Sequence, residues 1–585
     1  MSKKVADQLV ETIHKAGIKR IYAVTGDSLN EVNDAVRRQE GVKWVHVRHE
    51  ETGAFAAAAE AQLNGIACCA GSSGPGHVHL INGVYDAHKS NAPVFVIAPV
   101  FVIASTIPSQ EFGTSYFQET NTIKLFDDCS GYNQMPITPI QFSRMLQAAL
   151  QHTVNKKEVS VLGLPGDLAA NKAEESPTAS FVFPSKSIYR PSDLEIANLA
   201  EMINSAKKVT IYCGLGAKNA HDEAIQLAAK IKAPIGYSFK SKMAIQYNNP
   251  YEVGITGLLG MPSAFAAMHE SDLLILLGTD FPYTSFMPQK PKIVQVDLRP
   301  ERIGRRAKVD IGLGGDVKDT LEALLPLIKE KTDDTFLKKQ LNLYRKVQDH
   351  LHSLAVKNGT ERNIAPEYVT TLIDKIAADD AIFTVDTGMC CVWGARYLNA
   401  TGKRDMLGSF NHGSMANAMP MAIGAAFARP EQQIVAICGD GGLSMLLGDL
   451  ATIVQYKLPI KLIVFNNRSL GMVKLEMEVA GLPDWQTDMY NPDFVKVAEA
   501  MGIRGFSVSS PDKVEETLRL AFNTPGPVLV SVETDPNALV MPPKVEFDQI
   551  KGFAEAMIKL ILDGRGEDVW NTAKSNMKNI WGITL

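Results

Sequence analysis

A carboxylate and two amides follow neighbouring apolar runs in the last third of the chain. Asp440 stands between Gly439 and Gly441 after the run QIVAIC, and 24 residues separate Gly441 from Asn466 and Asn467, which follow the run IKLIVF. Adjacent parallel strands would bring these oxygens to one point, and hard oxygen ligands suit Mg²⁺. The glycines would let a diphosphate approach the backbone at a helix start. We therefore predict a metal–diphosphate site; the alternative is a Gly-rich turn capped by Asp440, with a second turn at the asparagines.

The elements that must position this site are short apolar runs separated by helical pattern. They are VSVLGLPG, VTIYCGLG, DLLILLG, KIVQVD, AIFTVD, QIVAICGDG and IKLIVFNN. Such runs are typical of parallel strands buried on both faces. Their alternation with helices predicts doubly wound α/β domains, in which ligands bind at the carboxyl ends of the strands.

Two stretches of different composition divide the chain. Residues 181–193 hold two prolines without periodicity, and residues 330–366 are charged, helical in pattern and closed by Asn-Gly and Pro. We predict three α/β domains over about 1–180, 190–335 and 360–540, followed by a tail over 541–585.

Composition narrows the class of protein. A chain of 585 residues is expected to hold three or four domains, and a net charge of -5 argues against a general nucleic-acid binder. The seven cysteines are odd in number and lack CxxC spacing, so we expect reduced, buried thiols. The first residues enter helical periodicity without an apolar signal core, and the longest apolar run, 92–104, has 13 residues. A spanning helix needs about 20, so we expect a cytoplasmic protein without a membrane span.

A six-residue repeat interrupts this pattern. PVFVIA occurs at 93–98 and again at 99–104. Because Pro99 would remove a ladder donor from a central strand, we expect one copy to bulge out. The alternative is a simple expansion of an apolar strand without function.

Three histidines raise a second metal hypothesis. His77 and His79 have His-x-His spacing, and His88 follows. The sequence shows no third ligand nearby, so we assign them no metal.

The span from Gly439 to Asn467 resembles the thiamine diphosphate (ThDP) and Mg²⁺ signature of ThDP-dependent enzymes. Other segments extend the resemblance over nearly the whole chain, and it is strongest to the bacterial pyruvate oxidase family, in particular its quinone-linked, peripheral-membrane members. The matching segments include VTGDSLN (24–30), RHEETGAFAAAAEAQL (48–63), GSSGPGHVHLINGVYDAH (71–88), YFQET (116–120), ITGLLG (255–260), LLGTDFPY (276–283), SFNHGSMANAMP (409–420) and FNNRSLG (465–471).

The resemblance implies the roles of the central residues. Asp440 and Asn467 are implied Mg²⁺ ligands, with the backbone carbonyl of Ser469 as a third. Glu50 matches the glutamate that bonds the aminopyrimidine ring of ThDP and favours the tautomer able to take the thiazolium C2 proton. Read alone, Glu50 is a solvated helix-start carboxylate.

Further residues are assigned by the same resemblance. Met415 matches the bulky side chain that props ThDP in its bent form, although a core methionine would have the same placement. Gly26 and Gly74, like Gly439 and Gly441, match backbone around the cofactor. Phe117 and Gln118 match the pair near the reacting carbon. Val473 and Glu476 match walls of the substrate pocket, although Glu476 could be a plain helix-surface glutamate.

The middle domain is implied to hold FAD. Gly214 and Gly216 follow VTIYC, but Asn219 takes the third glycine position of an NAD fingerprint and no acid ends the next strand. The resemblance instead implies FAD, bound by the glycines and by further residues of the same domain. These are Gly214, Gly216, Thr256, Gly257, Gly278, Thr279, Asp297 and Arg299.

The function implied is oxidative decarboxylation of pyruvate to acetate and CO₂, with electrons passing through FAD to a membrane quinone. A phosphate- and oxygen-dependent pyruvate oxidase is the first alternative. An acetolactate synthase-type carboligase, a simple 2-keto acid decarboxylase and a catalytically inactive scaffold also stay open.

The tail suggests where the enzyme works. Apolar residues of 551–562 share one helical face, and two of the five tryptophans lie in the last 16 residues. Tryptophan near a terminus suits a membrane interface, and the alternative is a terminal helix docked on the enzyme. From the resemblance we expect a homo-oligomer, with a dimer as the minimum unit and a tetramer as the expected assembly, peripherally bound to the inner face of the cell membrane.

Overall fold

The computed structural model describes residues 3–90, 100–174, 187–357, 359–538 and 559. These residues form three parallel sheets of six strands each, and a two-stranded antiparallel pair. Along the strands, successive side chains enter different apolar clusters, as Ile21 and Tyr22 do in the first sheet. Each sheet is therefore buried on both faces, and the prediction of three doubly wound α/β domains is confirmed.

The first sheet has the strand order β2-β1-β3-β4-β6-β5. Its strands are β1 (Arg20–Ala23), β2 (Lys43–His46), β3 (Ala67–Gly71), β4 (Val100–Thr106), β5 (Tyr132–Gln134) and β6 (Ser160–Pro165). Its helices are α1 (Val5–Lys15), α2 (Asn30–Arg38), α3 (Glu50–Asn64), α4 (Pro75–Lys89), α5 (Thr122–Phe126), α6 (Pro139–Lys156) and α7 (Gly166–Ala170).

The middle sheet has the order β12-β11-β10-β7-β8-β9. Its strands are β7 (Val209–Cys213), β8 (Ile235–Tyr237), β9 (Glu252–Ile255), β10 (Leu273–Leu277), β11 (Lys292–Asp297) and β12 (Ile311–Gly314). Its helices are α8 (Asp193–Ser205), α9 (His221–Ile231), α10 (Lys242–Ile245), α11 (Pro262–His269), α12 (Val317–Leu324) and α13 (Thr335–Leu354). The helix predicted within 330–366 is α13, and it packs on α11.

The third sheet has the order β16-β15-β17-β18-β20-β19, after the pair β13 (Gly359–Thr360) and β14 (Asn363–Ile364). Its strands are β15 (Ile382–Val385), β16 (Asp405–Leu407), β17 (Ile434–Gly439), β18 (Lys461–Asn466), β19 (Arg504–Val508) and β20 (Val528–Glu533). Its helices are α14 (Pro366–Ile376), α15 (Met389–Tyr397), α16 (Ala418–Ala428), α17 (Asp440–Met445), α18 (Leu450–Gln455), α19 (Gly471–Val479), α20 (Phe494–Ala500) and α21 (Val514–Asn523).

These strand orders locate the ligand sites. The first and third sheets have the same strand order. In the first sheet the direction in which strands are added reverses between β1 and β3, and in the third sheet it reverses between β15 and β17. The middle sheet has the dinucleotide-binding order, which reverses between β7 and β10. Ligands of open α/β sheets bind beyond the carboxyl ends of the strands at such reversals. Each domain therefore offers one crevice.

The first and third domains pack together through α3 and α16. The alanines at 56–59 in α3 are fully buried. A Cβ on Gly424 of α16 would lie 2.0 Å from the Ala56 carbonyl oxygen, so only glycine allows this approach. Helix α3 begins at Glu50, and the loop before α16 carries Met415, so this contact links the elements that carry both residues.

Two predictions fall wholly or partly outside the described residues. In the second PVFVIA copy, residues from Val100 onward form β4, between β3 and β6, but residues 93–99 are not described. The tail is described only at Lys559. All seven cysteines are buried and unpaired, as predicted. Among the described helices, none has the length and apolar character needed to cross a bilayer.

Candidate functional site

The Asp440 carboxylate is buried at the end of β17, where α17 begins. Its Oδ2 accepts hydrogen bonds from the backbone of Arg468 at 2.6 Å and from Nδ2 of Asn491 at 2.7 Å. Its Oδ1 accepts one from the Gly441 backbone at 2.9 Å. Burial raises the pKa of Asp440, while these donors oppose the rise. A bound cation would favour the ionised form further.

The other two predicted metal ligands lie on the adjoining loop after β18. Oδ1 of Asn467 accepts from the backbone of Ser469 at 3.1 Å, and Arg468 between them bonds Asp440. Oγ of Ser469 and Oδ1 of Asn491 are buried without a partner among the described residues. Carboxylate, amide and hydroxyl oxygens therefore occur on two adjoining loops that hydrogen bonds join. This donor set fits Mg²⁺.

Open space lies beside these oxygens. A Cβ on Gly439 would meet only Sγ of Cys390, at 3.8 Å, and a Cβ on Gly388 would meet nothing within 4 Å. Gly439 ends β17 and Gly388 follows β15, on either side of the reversal in the third sheet. Backbone N–H groups at the start of α15 and this space fit a diphosphate.

Asp386 is a buried residue of this edge that the sequence analysis did not assign. It accepts hydrogen bonds from the backbone and side chain of Asn417 at 3.1 and 3.2 Å, and burial raises its pKa to about 7. A Cβ on Gly442 would clash with its carboxylate. Since Asp386 ends the predicted strand AIFTVD, the rule that found Asp440 could have found it.

Met415 lies against the same turn. A Cβ on Gly441 would be 3.1 Å from Cε of Met415, so the methionine covers the glycine that follows Asp440. Gly441 is therefore closely covered by side chains, whereas Gly439 borders open space. The structure brings together Asp440 and the residue predicted to prop the cofactor.

Glu50 is the first residue of α3 and is only 6% exposed, with His49 as the N-cap. The reading of Glu50 as a solvated carboxylate is therefore wrong. Its Oε2 lies 2.9 Å from Nδ1 of His79, and a Cβ on Gly76 would lie 3.1 Å from its Oε1. Gly76 belongs to the Gly-rich loop 71–76, and a Cβ on Gly26 would clash with Ser72 of this loop. Backbone of this loop shields the carboxylate from water.

His49 and Glu50 lie close to His79, whereas the sequence shows no third ligand near the histidines. Ligand atoms of His49, Glu50 and His79 all lie within 4.8 Å of one another. The two imidazoles stack with centroids 4.4 Å apart and planes at 24°. Lone pairs lie in the ring planes, so stacked rings do not direct them at one ion. In this arrangement His79 is the hydrogen-bond partner of Glu50.

The loop carrying Phe117 and Gln118 packs on the Gly-rich loop. Gln118 has φ +62°, and a Cβ on Gly74, itself at φ +71°, would lie 2.9 Å from its Cβ. Thr120 anchors the loop through Oγ1, 2.6 Å from Nδ1 of His77. Phe117 is 77% exposed.

Asn82 of α4 joins the first and third domains within one chain. Its Nδ2 donates to Oε1 of Glu51 at 2.7 Å and to Oγ of Ser414 at 2.8 Å. Ser414 precedes Met415, and Glu51 follows Glu50. The loops that carry the two predicted cofactor residues are therefore tied together.

The predicted pocket residues lie on α19 of the third domain. Val473 and Glu476 are exposed on this helix, one turn apart. In the middle domain, burial raises the pKa of Tyr283, and the Glu476 carboxylate adds to the rise. Tyr283 ends the segment predicted to bind FAD, so Glu476 lies within electrostatic range of that segment.

The glycines predicted for FAD form a crossing of two loops at the reversal between β7 and β10. Gly216 donates to the Gly278 carbonyl at 2.9 Å, and a Cβ on Gly278 would lie 2.3 Å from Cα of Gly216. A Cβ on Gly214 would clash with Thr279. These glycines let the two loops pack closely, so backbone atoms and not side chains form this edge of the crevice.

Unpartnered polar atoms line the same edge. Oγ1 of Thr256 and Oδ2 of Asp297 are buried without a partner among the described residues. Burial raises the pKa of Asp297 to about 7, although its Oδ1 accepts from the Arg299 backbone. Gly257 has φ +92° and packs on Phe281. The edge fits a ligand with several hydroxyl groups, as a dinucleotide has.

Arg299 contributes differently from the prediction. Its guanidinium donates to Oε1 of Glu158 at 2.7 Å and to the Lys156 carbonyl at 2.8 Å, both in the first domain. The described contacts of this side chain therefore join domains, and only its backbone bonds Asp297.

Comparison with known proteins agrees with this architecture. Three family models match: the N-terminal TPP binding domain of thiamine pyrophosphate (TPP, the same compound as ThDP) enzymes over 3–125, their central domain over 196–324, and their C-terminal TPP binding domain over 386–532. The "Putative thiamine pyrophosphate-containing protein YdaP" of Bacillus subtilis is 35% identical over 98% of this chain and 99% of its own length. Pyruvate oxidase of Lactiplantibacillus plantarum is 29% identical over 88% of this chain and 86% of its own. The acetolactate synthase large subunit of Parasynechococcus marenigrum is 28% identical over 90% and 87%.

Proposed function

We propose that this chain, which belongs to the thiamine pyrophosphate enzyme family, decarboxylates pyruvate oxidatively. Pyruvate and water would give acetate, CO₂, two protons and two electrons, and FAD would accept the electrons. When bound, ThDP supplies the electron sink for loss of the carboxylate, and FAD supplies the redox chemistry.

The observation that carries this proposal is the pair of hydrogen bonds from the Arg396 guanidinium on α15, which begins beside the diphosphate edge, to the carbonyls of Leu259 and Gly260 in the turn predicted to bind FAD. These bonds join the predicted ThDP edge to the predicted FAD edge, and electron transfer to flavin requires the two to be close. The unpartnered atoms of Thr256 and Asp297 support FAD at that edge.

Each part of the chain would then have a task. Asp440, Asn467 and Ser469 would hold Mg²⁺ and, through it, the diphosphate. Glu50 would hold a proton beside the aminopyrimidine ring in a site shielded from water. The side chains that would wall the pyruvate and exclude bulk water are Phe117, Gln118, Val473 and Glu476.

For the electron acceptor we propose a membrane quinone, reached by peripheral attachment of a cytoplasmic homotetramer through residues 541–585. The basis is the resemblance and the tryptophan-rich tail sequence. Deleting residues from 563 onward should abolish liposome binding and quinone-coupled turnover, and should spare reduction of a soluble acceptor. If the truncated enzyme still binds liposomes when pyruvate is added, the attachment proposal is wrong.

A second candidate is an acetolactate synthase-type carboligase. It is favoured by the similarity to acetolactate synthase, which covers as much of this chain as the similarity to pyruvate oxidase does and has almost the same identity. A phosphate- and oxygen-dependent oxidase is a further alternative, since the similar Lactiplantibacillus protein is named pyruvate oxidase.

One anaerobic experiment separates these functions. Protein loaded with ThDP, Mg²⁺ and FAD is mixed with pyruvate while flavin absorbance is followed, and then with a quinone analogue or with oxygen and phosphate. We expect bleaching, acetate formation and reoxidation by the quinone. Acetolactate without bleaching would establish the carboligase, and the Glu50→Gln protein is the control that should not bleach.

A further inference from the structure

The loop between β4 and α5 carries two of the predicted pocket residues, Phe117 and Gln118, in a strained turn. Residues 116–119 form this turn, since the backbone N–H of Glu119 donates to the Tyr116 carbonyl at 2.9 Å. Gln118, its third residue, has φ +62°. A type II turn requires a left-handed residue at that position, and glycine normally supplies it. A residue with a Cβ is strained there, so the surrounding structure must hold it in place.

A second strained residue lies just before this turn. Ser115 has φ +63°, whereas Gly113, at φ +78°, is a residue suited to such an angle. Ser115, Tyr116 and Phe117 are all exposed, so core packing does not fix the loop in this shape. The loop therefore needs a brace that bonds its backbone.

The Glu119 carboxylate is such a brace. Its Oε1 accepts a hydrogen bond from the Gly113 backbone at 2.6 Å, and its Oε2 accepts one from the Ser115 backbone at 2.8 Å. Hydrogen bonds to a carboxylate are stronger than those between neutral groups. With the backbone bond to Tyr116, Glu119 ties together three positions of the loop.

The other anchors of this loop lie at its two ends. Ser109 donates through its backbone and its hydroxyl to the Asp167 carboxylate of α7, at 3.0 and 2.6 Å. Thr120 contacts His77 of α4 through Oγ1. Among the described residues, Glu119 is the side chain that accepts from the backbone N–H groups of 113–118. The shape of the middle of the loop therefore depends on Glu119.

We infer that Glu119 is a positioning residue, which holds Phe117 and Gln118 in the arrangement that receives pyruvate. The inference rests on the proposed function for the identity of the substrate. Without the carboxylate, the turn would be formed in only a fraction of the molecules, and pyruvate would have to order it on binding. The apparent affinity for pyruvate would fall by that fraction, while the rate at saturation would not.

Two readouts test this in protein loaded with ThDP, Mg²⁺ and FAD. Hydrogen–deuterium exchange follows the amides of residues 113–119. Anaerobic flavin bleaching gives the half-saturating pyruvate concentration and the maximal rate. In Glu119→Ala, exchange should be about tenfold or more faster, and the half-saturating concentration should rise by a similar factor. The maximal rate should stay within about threefold of wild type.

Two further variants serve as controls. Glu119→Gln keeps an oxygen that can accept from one of the two N–H groups, so it should lie between wild type and Glu119→Ala in both readouts. Glu111→Ala removes a carboxylate of the same loop that has no hydrogen-bond or ion-pair partner among the described residues, and it should match wild type. All thermal midpoints should agree, since the change is confined to an exposed loop. A general structural defect would instead lower the midpoint and the maximal rate.

The outcomes separate this inference from the proposed function. Glu119→Ala protein with wild-type exchange, or with faster exchange and an unchanged half-saturating concentration, would overturn the inference. If wild-type protein does not bleach its flavin, the proposed function fails instead. The half-saturating concentration is then measured from acetolactate formation, and the exchange difference between Glu119→Ala and Glu111→Ala should persist.

Discussion

Asn491 donates its side-chain amide to Oδ2 of Asp440 at 2.7 Å, across a separation of 51 residues. The same nitrogen donates to Oδ1 of Asn466 at 2.8 Å. One amide therefore links the ends of β17 and β18, where the predicted Mg²⁺ ligands lie. Asn491 positions the Asp440 carboxylate, and its own Oδ1 is buried beside it without a partner among the described residues.

Asp440→Ala should remove Mg²⁺-dependent ThDP binding, because the diphosphate charge would lose its bridging cation. We expect affinity to fall by about a hundredfold or more, the usual cost of removing a charged ligand. Asn491→Ala should cost about tenfold, since it loosens Asp440 without removing it. Calorimetric titration with ThDP at fixed Mg²⁺ measures both, and an Asp440→Ala protein with wild-type affinity would refute the assignment.

Glu50→Gln should bind ThDP yet slow proton exchange at the thiazolium C2 by orders of magnitude, because an amide cannot exchange the proton that the cofactor ring needs. The adjacent Glu51→Gln is the matched control, since its Oε1 can still accept from Asn82. Deuterium exchange of bound ThDP, followed by NMR, compares the two. Equal exchange rates in both variants would show that Glu50 has no such role.

The sequence rule that strand ends carry ligands was enough to predict Asp440 and Asn467. It could also have found Asp386, which ends AIFTVD. It could not have found Asn491, which lies in a loop that follows no strand and reaches Asp440 only through tertiary packing. The parallel α/β class was predictable because both faces of each strand are apolar, whereas the strand orders that locate the crevices depend on long-range pairing.

The glycines show a second limit of sequence reasoning. Gly214 and Gly278 were assigned to a cofactor, and the structure gives them a role in loop crossing that no local pattern shows. Arg299 matched the family pattern, yet its guanidinium bonds Glu158 in another domain. A motif match therefore does not define the contact of each side chain.

Asp297→Asn should stabilise the flavin-free protein in a pH-dependent way, because burial raises the pKa of Asp297 from 3.8 to about 7. Below about pH 4 the carboxyl is protonated in both folded and unfolded states, so variant and wild type should match. Between pH 4 and 7 only the unfolded state ionises, and wild-type stability falls. Above pH 7 the gap should be constant, on the order of 4 kcal/mol. Thermal midpoints across this range that show no pH-dependent gap would contradict the prediction.

Arg396 connects the diphosphate edge to the dinucleotide edge. It lies on α15, which begins just after Gly388, and its guanidinium donates to the carbonyls of Leu259 and Gly260 at 3.3 and 3.0 Å. Burial lowers the pKa of Arg396 to about 10. Because the carbonyls belong to the turn that carries Thr256, the guanidinium holds one wall of the proposed FAD crevice in place.

Arg396→Met should therefore lower FAD retention while leaving ThDP affinity within about threefold of wild type, because it frees the turn but not Asp440. Unpairing buried carbonyls should also cost about 1–3 kcal/mol each. Lys218→Met is the matched control: it breaks the ion pair with Asp405 between the same two domains, but that pair is half-exposed and should be worth about 0–1 kcal/mol. Flavin-to-protein absorbance after gel filtration and the thermal midpoint measure both effects. If Arg396→Met keeps its full flavin while Lys218→Met loses it, the turn is held by the ion pair and not by Arg396.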